Sequence, residues 1–163
     1  GGTIWVETKP DEGSTFYFSI PYTPKKNIKI KEKRISYTDE FLKKDSTILI
    51  VDDEKMNYLY LKEILDLQEI KNMFAGNGIE AVEMIEKYPE ISLVLMDIKM
   101  PIMNGYIATK KIKKIKPGLP IIAQTAYAMQ GDREKAIQAG CDDYITKPIL
   151  EQKLIELLKR FLS

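Results

Sequence analysis

The sequence contains no histidine and only one cysteine, Cys141. Without histidine there is no Ser/His/Asp triad, no Cys/His nucleophile pair and no histidine-containing zinc site. A single cysteine forms neither an intrachain disulfide nor a cysteine-rich zinc site, so we expect a reducing compartment. Any chemistry in this chain therefore depends on carboxylates, hydroxyls and lysines.

Long apolar runs and an excess of charge are also missing. No uninterrupted apolar run of about 18 residues and no charged-then-apolar leader occurs, so the sequence predicts neither a membrane span nor a signal peptide. The 163 residues include 25 basic and 24 acidic side chains, a net charge of +1. Because domains that bind nucleic acid are usually strongly basic, we expect no such partner.

Residues 1–24 have the pattern of a β-hairpin. Apolar residues alternate with polar or aromatic ones on either side of a turn-rich KPDEG stretch at 9–13. An isolated hairpin is only marginally stable in water, so we expect this segment to be a remnant of a larger sheet. The alternating apolar positions are Ile4, Val6, Phe16, Phe18 and Ile20.

Residues 25–45 carry eight Lys or Arg against four Asp or Glu and few apolar residues. Such a composition predicts a solvated, basic linker. The alternative interpretation is a basic patch for an acidic partner.

Residues 46–163 alternate between strand and helix patterns. Short apolar runs predict strands buried on both faces of a parallel sheet, and apolar residues at helical spacing follow them. The apolar runs predict strands at 48–51, 93–96 and 120–123. Weaker patterns predict strands at 71–75 and 143–146 and a fourth helix at 132–139. Five β-α units in succession predict a doubly wound α/β domain.

Polar side chains follow four of these strands. Ligands of open parallel sheets bind beyond the carboxyl ends of the strands. Taken singly, an Asp there is a helix N-cap, Thr125 a turn residue and Lys147 a surface charge. Taken together, carboxylates that converge on one edge need a cation among them. The strand ends are Asp52-Asp53-Glu54, Asp97, Gln124-Thr125-Ala126 and Thr146-Lys147-Pro148.

Oxygen ligands without histidine or cysteine favour Mg²⁺ over zinc. Carboxylates, a metal, an amine and a hydroxyl suit phosphoryl transfer, in which the protein positions groups and neutralises charge. Asp97 follows the most central strand and has no acidic neighbour, which makes it the candidate nucleophile. The adjacent Asp52 and Asp53 are suited to holding the metal.

Four sequence blocks resemble the receiver domain of two-component response regulators, in the form fused to hybrid sensor histidine kinases. They are VDDE at 51–54, MDIKMPIMNG at 96–105, TAYAM at 125–129 and DDYITKPI at 142–149. The resemblance covers residues 46–163. It implies a flavodoxin-like (βα)5 fold with strand order 2-1-3-4-5.

The resemblance also implies a role for each matching acidic residue. Asp97 is the expected phosphoacceptor and accepts its phosphoryl group from a phosphohistidine. Asp53 is an expected direct Mg²⁺ ligand, Asp52 acts on the metal through water, and Lys99 supplies its backbone carbonyl.

Four further positions match the residues that respond to phosphorylation in this family. Thr125 is the expected switch hydroxyl and Tyr144 the switch aromatic. Lys147 is expected to contact the phosphoryl group, before a cis Pro148. Movement of these residues is expected to change a partner-binding surface.

The segment GGTIWVETKPDEGSTFYFSIP resembles the last strands of a histidine kinase ATP-binding domain. Hairpin, linker and receiver would then follow the order of a hybrid kinase, cytoplasmic here and membrane-anchored in the parent. The nucleotide-binding boxes and the phosphorylatable histidine are absent, so this chain is expected to act as a phosphoacceptor without ATP.

Other interpretations are a receiver fold used only for protein interaction, and a phosphatase with an aspartyl nucleophile. Such phosphatases have an Asp-x-Asp pattern, whereas this chain has Asp52-Asp53-Glu54. A nucleotide-binding interpretation lacks the GxxxxGK[ST] loop. The sequence leaves open whether the chain is a homodimer, and whether the hairpin packs on the receiver, packs on a second copy or extends as an arm.

Overall fold

The structure is a computed structural model that describes residues 2–22, 45–126 and 130–162. The chain divides into two compact units, Gly1–Ile35 and Ser36–Ser163. The predicted linker lies outside the described residues except for Asp45. None of the described helices is both long enough and apolar enough to cross a bilayer.

The first unit contains the predicted hairpin. Strands β1 (Ile4–Lys9) and β2 (Gly13–Phe18) pair antiparallel. Trp5 stacks on its cross-strand partner Tyr17, with ring centroids 5.2 Å apart. All twelve strand residues are exposed, including Phe16 and Phe18 at 70% and 71%. The hairpin is therefore apolar on its surface and contributes no buried strand residue.

The second unit contains a five-stranded parallel sheet. Its strands are β3 (Thr47–Val51), β4 (Lys71–Ala75), β5 (Ile91–Asp97), β6 (Ile121–Thr125) and β7 (Asp143–Thr146). Their order is β4-β3-β5-β6-β7, which confirms the predicted 2-1-3-4-5 order. The central strand β5 is longer than predicted, because pairing extends to Ile91 on one side and Asp97 on the other.

Helices cover both faces of this sheet, as the β-α alternation predicts. Side chains of α2 (Gly78–Lys87), α3 (Gly105–Ile115) and α4 (Gln130–Ala139) pack with one face. Those of α1 (Lys55–Leu67) and α5 (Glu151–Leu162) pack with the other. Successive strand residues serve opposite layers: Leu49 and Val51 join the first, and Ile48 and Ile50 join the second.

Helix α1 ends without a glycine. Glu69 adopts a left-handed φ of 57°, and its N–H donates to the carbonyl of Asp66 at 3.0 Å. The N–H of Ile70 donates to the carbonyl of Leu65 at 3.0 Å, which completes the Schellman pattern. Ile70 is 2% exposed, so burial of its side chain offsets the strain of a non-glycine residue in this conformation. This turn directs the chain into β4.

Candidate functional site

Three acidic residues converge at the carboxyl edge of the sheet. Asp52 directly follows β3, and Asp97 is the last residue of β5. One carboxylate oxygen from each of Asp52, Asp53 and Asp97 lies within 4.8 Å of the other two. Asp52 is 0% and Asp97 7% exposed, whereas Asp53 is exposed to solvent. The predicted convergence is therefore present, with two carboxylates buried and one open to solvent.

Lys147 lies between the two buried carboxylates. Its Nζ is 2.7 Å from Asp52 Oδ2 and 2.7 Å from Asp97 Oδ2. The backbone N–H of Lys147 donates to the carbonyl of Thr125 at 2.7 Å, which fixes the segment after β7 against the end of β6. The Lys147–Pro148 peptide bond is cis. One ammonium thus neutralises part of the charge of two acids.

Asp97 is held at the end of β5 by its own loop. The N–H of Lys99 donates to Asp97 Oδ1 at 3.1 Å, and Lys99 is itself exposed. Gly105, the first residue of α3, lies against the backbone of Asp97, and an added Cβ would come within 2.2 Å of the Asp97 carbonyl oxygen. The loop from β5 to α3 therefore fits closely under the acid.

Burial and the shared ion pair act in opposite directions on the site. Burial raises the pKa of the Asp97 carboxyl above its ordinary value, although Lys147 and the N–H of Lys99 act to lower it. Burial acts to lower the pKa of Lys147, but its hydrogen bonds to Asp52 and Asp97 outweigh this effect, and the pKa lies above its ordinary value. Lys147 therefore stays cationic at neutral pH.

Asp52 has further partners that the sequence analysis missed. The N–H of Glu54 donates to Asp52 Oδ1 at 2.9 Å. The side-chain Nδ2 of Asn57 lies 3.0 Å from Asp52 Oδ1 and 3.2 Å from Oδ2. The sequence feature that could have indicated this contact is an amide residue, Asn57, in the first turn of the helix that follows Asp52 and Asp53.

The two predicted switch residues lie on neighbouring strands. Thr125 ends β6, is 8% exposed, and pairs in register with Thr146. Tyr144 is half-buried on β7 and packs against the layer formed with α2, α3 and α4. The Arg133 guanidinium lies over the Tyr144 ring, 5.7 Å from its centroid. Thr125 therefore lies at the acidic edge, and Tyr144 lies two residue pairs farther from it.

A polar residue at the end of a strand is expected to be exposed or hydrogen-bonded, but Gln124 is neither among the described residues. It is 0% exposed, and neither its side-chain oxygen nor its nitrogen has a hydrogen-bond partner among the described residues. It pairs in register with Asp97 on β5 and Ile145 on β7. A buried amide without a partner is thus placed directly beside the strand position of the buried acid.

Exposed apolar side chains occur on the segments that follow three of the strands at this edge. Met56 in the first turn of α1 is 73% exposed, and Leu150 before α5 is 56% exposed. Ile102, in the loop after β5, is 77% exposed and has a φ of 67°. A β-branched residue in the left-handed region is a conformational outlier, so this loop holds an apolar side chain in solvent at an energetic cost.

Comparisons with known proteins agree on one family. A family model described as the response regulator receiver domain matches residues 48–159. The polar-differentiation response regulator DivK of Brucella anthropi is 34% identical over 119 residues, which cover 72% of this chain and 96% of DivK. DivK of Brucella ovis is also 34% identical, over 120 residues.

Two solved structures are similar in both sequence and fold. One is the receiver domain of the sensor histidine kinase PA1611 from Pseudomonas aeruginosa, with a magnesium ion coordinated in its active-site cleft. It is 35% identical, with a TM-score of 0.67 and coverage of 72% of this chain and 97% of that one. The other is the Saccharomyces cerevisiae Ssk1 receiver domain in complex with the histidine phosphotransfer protein Ypd1. It is 29% identical, with a TM-score of 0.68 and coverage of 72% and 88%.

Proposed function

This chain belongs to the response regulator receiver domain family of two-component systems, and from this we propose that Asp97 accepts a phosphoryl group from a phosphohistidine. The observation that carries the proposal is the placement of Lys147 between Asp52 and Asp97, at 2.7 Å from each. In the proposed reaction an Asp97 carboxylate oxygen attacks phosphorus. A P–O bond forms as the P–N bond breaks, and the imidazole leaves with the electron pair of the P–N bond.

The residues at the site fit Mg²⁺. Their donors are carboxylate oxygens of Asp52, Asp53 and Asp97, which lie close together, and this is the ligand chemistry that Mg²⁺ prefers. We assign Asp53, Asp97 and the Lys99 carbonyl as direct ligands and Asp52 as a carboxylate that acts through water. A bound Mg²⁺ would neutralise charge on the phosphoryl oxygens in the transition state.

Lys147 and the backbone around Asp97 are the groups of the protein that we expect to assist phosphoryl transfer. Lys147 is cationic and reaches Asp97 Oδ2, so it is placed to contact phosphoryl oxygens on that residue. The hydrogen bond from Lys99 N to Asp97 Oδ1 fixes the carboxylate orientation. Burial of Asp97 excludes bulk water from the nucleophile, which strengthens its interactions with Lys147.

The switch is assigned to Thr125 and Tyr144. A phosphoryl group adds close to two negative charges, which attract the Thr125 hydroxyl and Lys147. Displacement of Thr125 would change the space available to Tyr144, whose ring now lies under Arg133. The surface formed by α4, β7 and α5 would then differ between the two states, which is the output that we propose.

We propose that the phosphodonor partner binds at the exposed apolar residues of the acidic edge, which are Met56, Ile102 and Leu150. A protein that delivers a phosphoryl group to Asp97 must cover this edge, and exposed apolar residues support such contact. The Ssk1 receiver domain, a structural neighbour, is solved in complex with a histidine phosphotransfer protein. We therefore propose a domain of this kind, or the histidine domain of a kinase, as the donor.

We further propose that the hairpin is the end of a histidine kinase ATP-binding domain and that the parent is a hybrid, membrane-anchored sensor kinase acting in the cytoplasm. The order of hairpin, basic segment and receiver supports this proposal, as do the exposed apolar side chains of the hairpin. In this proposal the kinase remnant is residues 1–24, the linker is residues 25–45 and the receiver domain is residues 46–163. The proposal places the donor histidine and the ATP site outside this sequence.

The test is intact mass after incubation with acetyl phosphate, with and without Mg²⁺. We expect a Mg²⁺-dependent gain of one phosphoryl group in the wild-type chain and in Asp66→Asn, a control that changes an exposed carboxylate of α1. Asp97→Asn should show no gain. If Asp97→Asn gains the same mass, another residue is the acceptor. If the wild-type chain gains nothing from acetyl phosphate or from a phosphohistidine protein, the receiver fold serves protein interaction only.

A further inference from the structure

Asn57 is a half-buried amide in the first turn of α1, beside the acidic site. Its Nδ2 lies 3.0 Å from Oδ1 and 3.2 Å from Oδ2 of Asp52. The same nitrogen lies 3.3 Å from Oε2 of Glu54. One amide group therefore contacts two carboxylates, and it contacts both oxygens of the buried one.

Among the described residues, three hydrogen-bond donors hold the Asp52 carboxylate, and they differ in mobility. The N–H of Glu54 is part of the backbone, and Asn57 is anchored on a helix. The third donor is the ammonium of Lys147, which is at the end of a long side chain and also contacts Asp97. If Lys147 turns toward a phosphoryl group on Asp97, the two fixed donors remain, and Asn57 is the one that contacts both oxygens.

Asn57 also lies where two like charges come close together. Asp52 is 0% exposed, and its carboxylate shares the Asn57 amide with the exposed carboxylate of Glu54. An N–H donor between two carboxylates lowers their mutual repulsion, because its positive end faces both. Without the amide, Asp52 would turn away from Glu54 and change its orientation toward Asp53 and Asp97.

We propose that Asn57 is a positioning residue of the acidic site, whose amide holds Asp52 in the orientation that supports cation binding while Lys147 is free to turn toward the phosphoryl group. The inference rests on the proposed function and adds a residue to it. Groups that orient metal-binding carboxylates typically change metal affinity by about 10- to 100-fold when they are removed. We expect the lower end of that range, since the backbone N–H of Glu54 remains in Asn57→Ala.

The experiment is calorimetric titration of the full chain with Mg²⁺, together with the rate of phosphorylation by acetyl phosphate as a function of Mg²⁺ concentration. Asn57→Ala removes the amide from a half-buried helical position without adding bulk. Asn72→Ala is the matched control, because the Asn72 amide donates to the carboxylate of Asp66 at 2.9 Å, near the other end of α1. Thermal unfolding without Mg²⁺ is measured for each protein.

We expect Asn57→Ala to raise the dissociation constant for Mg²⁺ and the half-saturating Mg²⁺ concentration about tenfold. The rate at saturating Mg²⁺ should stay within about threefold of wild type, since Asp97 and Lys147 are unchanged, and a purely structural role would not produce this split. Asn72→Ala should leave both Mg²⁺ constants unchanged.

Wild-type affinity for Mg²⁺ in Asn57→Ala would overturn the inference and leave the proposed function intact. A wild-type chain that neither binds Mg²⁺ nor gains a phosphoryl group would overturn both. Should Asn57→Ala fail to fold, NMR of the wild-type chain decides. The inference then requires the Asn57 side-chain amide signals to shift in Asp52→Asn and on addition of Mg²⁺, and unchanged signals would refute it.

Discussion

Asp97 shows how a single buried acid affects the stability of this fold. Its carboxylate is buried beside Asp52, and Lys147 neutralises part of the charge of both residues. Burial raises the pKa of Asp97 above the value of 3.8 expected for an unfolded chain, despite the nearby ammonium. The ionised form of this residue is therefore held in the fold at an energetic cost.

The sign of the resulting pH dependence is fixed by this raised pKa. Between the unfolded and the folded pKa, the native state binds more protons than the unfolded state, so stability falls as the pH rises through that interval. We expect Asp97→Asn to be more stable than wild type at pH 7 in Mg²⁺-free buffer. Urea unfolding across a pH series should show this difference shrinking toward zero as the pH falls below the folded pKa of Asp97.

The same series distinguishes burial from ion pairing. A wild-type chain that is more stable than Asp97→Asn at neutral pH would mean that the attraction of Lys147 exceeds the cost of burying Asp97. Glu86→Gln is the control, because it changes an exposed carboxylate on α2.

Gln124 gives a second prediction for one residue. Its amide is fully buried on β6 and has no hydrogen-bond partner among the described residues. Leaving a buried polar group unpaired costs about 1–3 kcal/mol, and leucine has a similar volume without polar atoms. Gln124→Leu should therefore increase the free energy of unfolding by about 1–2 kcal/mol in urea titrations.

Gln138→Leu, at an exposed position of α4, is the control and should change stability by less than about 0.5 kcal/mol. A loss of stability in Gln124→Leu would show that the amide has a partner in solution. Phosphorylation of this variant should be measured as well, because Gln124 pairs in register with Asp97.

At the scale of elements, the start of α3 is fitted to the end of β5. A Cβ on Gly105 would come within 2.2 Å of the Asp97 carbonyl oxygen and 2.9 Å of the Ile98 Cα. Both atoms belong to the backbone, so a side-chain rotation cannot relieve the overlap. The N–H of Gly105 also donates to the Ile98 carbonyl at 3.0 Å, which fixes the helix against the strand.

Gly105→Ala should consequently lower the free energy of unfolding by about 3 kcal/mol, the upper range for overpacking of a closely packed region. It should also slow phosphorylation, because the displaced backbone carries Asp97. Chemical denaturation and the acetyl phosphate assay measure the two effects. At Gly118 an added Cβ meets nothing within 4 Å, so Gly118→Ala should change neither quantity appreciably, and an equal effect at both glycines would contradict the packing argument.

The elements differ in how far their sequences predict them. The central strands follow from apolar runs that end in Asp52 and Asp97, and the weakly patterned segment before Lys147 supplies the last strand. The acidic edge follows because parallel strands bring their carboxyl ends together. The contacts of Asn57 and the burial of Gln124 were not predicted, since they depend on side-chain orientation within elements whose pattern is already satisfied. The end of α1 was also unpredictable, because Glu69 occupies a position where glycine is usual.

At the scale of the whole molecule, the two units have very different means of stabilisation. The apolar clusters of the described receiver residues lie on both faces of its sheet and are drawn from residues between Ile48 and Leu162. The hairpin has two strands whose residues are all exposed. The family match over 48–159 also falls within the second unit.

Removal of residues 1–24 should therefore leave the receiver's unfolding free energy within about 0.5 kcal/mol of the full chain, the usual range for changes outside the core. In the full chain, hydrogen exchange should show little protection for β1 and β2, because a two-stranded sheet is marginally stable, and protection near the global value for β5. Leu95→Ala, at a fully buried position of β5, is the positive control and should cost about 2–5 kcal/mol. Hairpin amides protected as strongly as those of β5 would show that a second copy or another surface buries Phe16 and Phe18 in solution, and light scattering would identify a dimer.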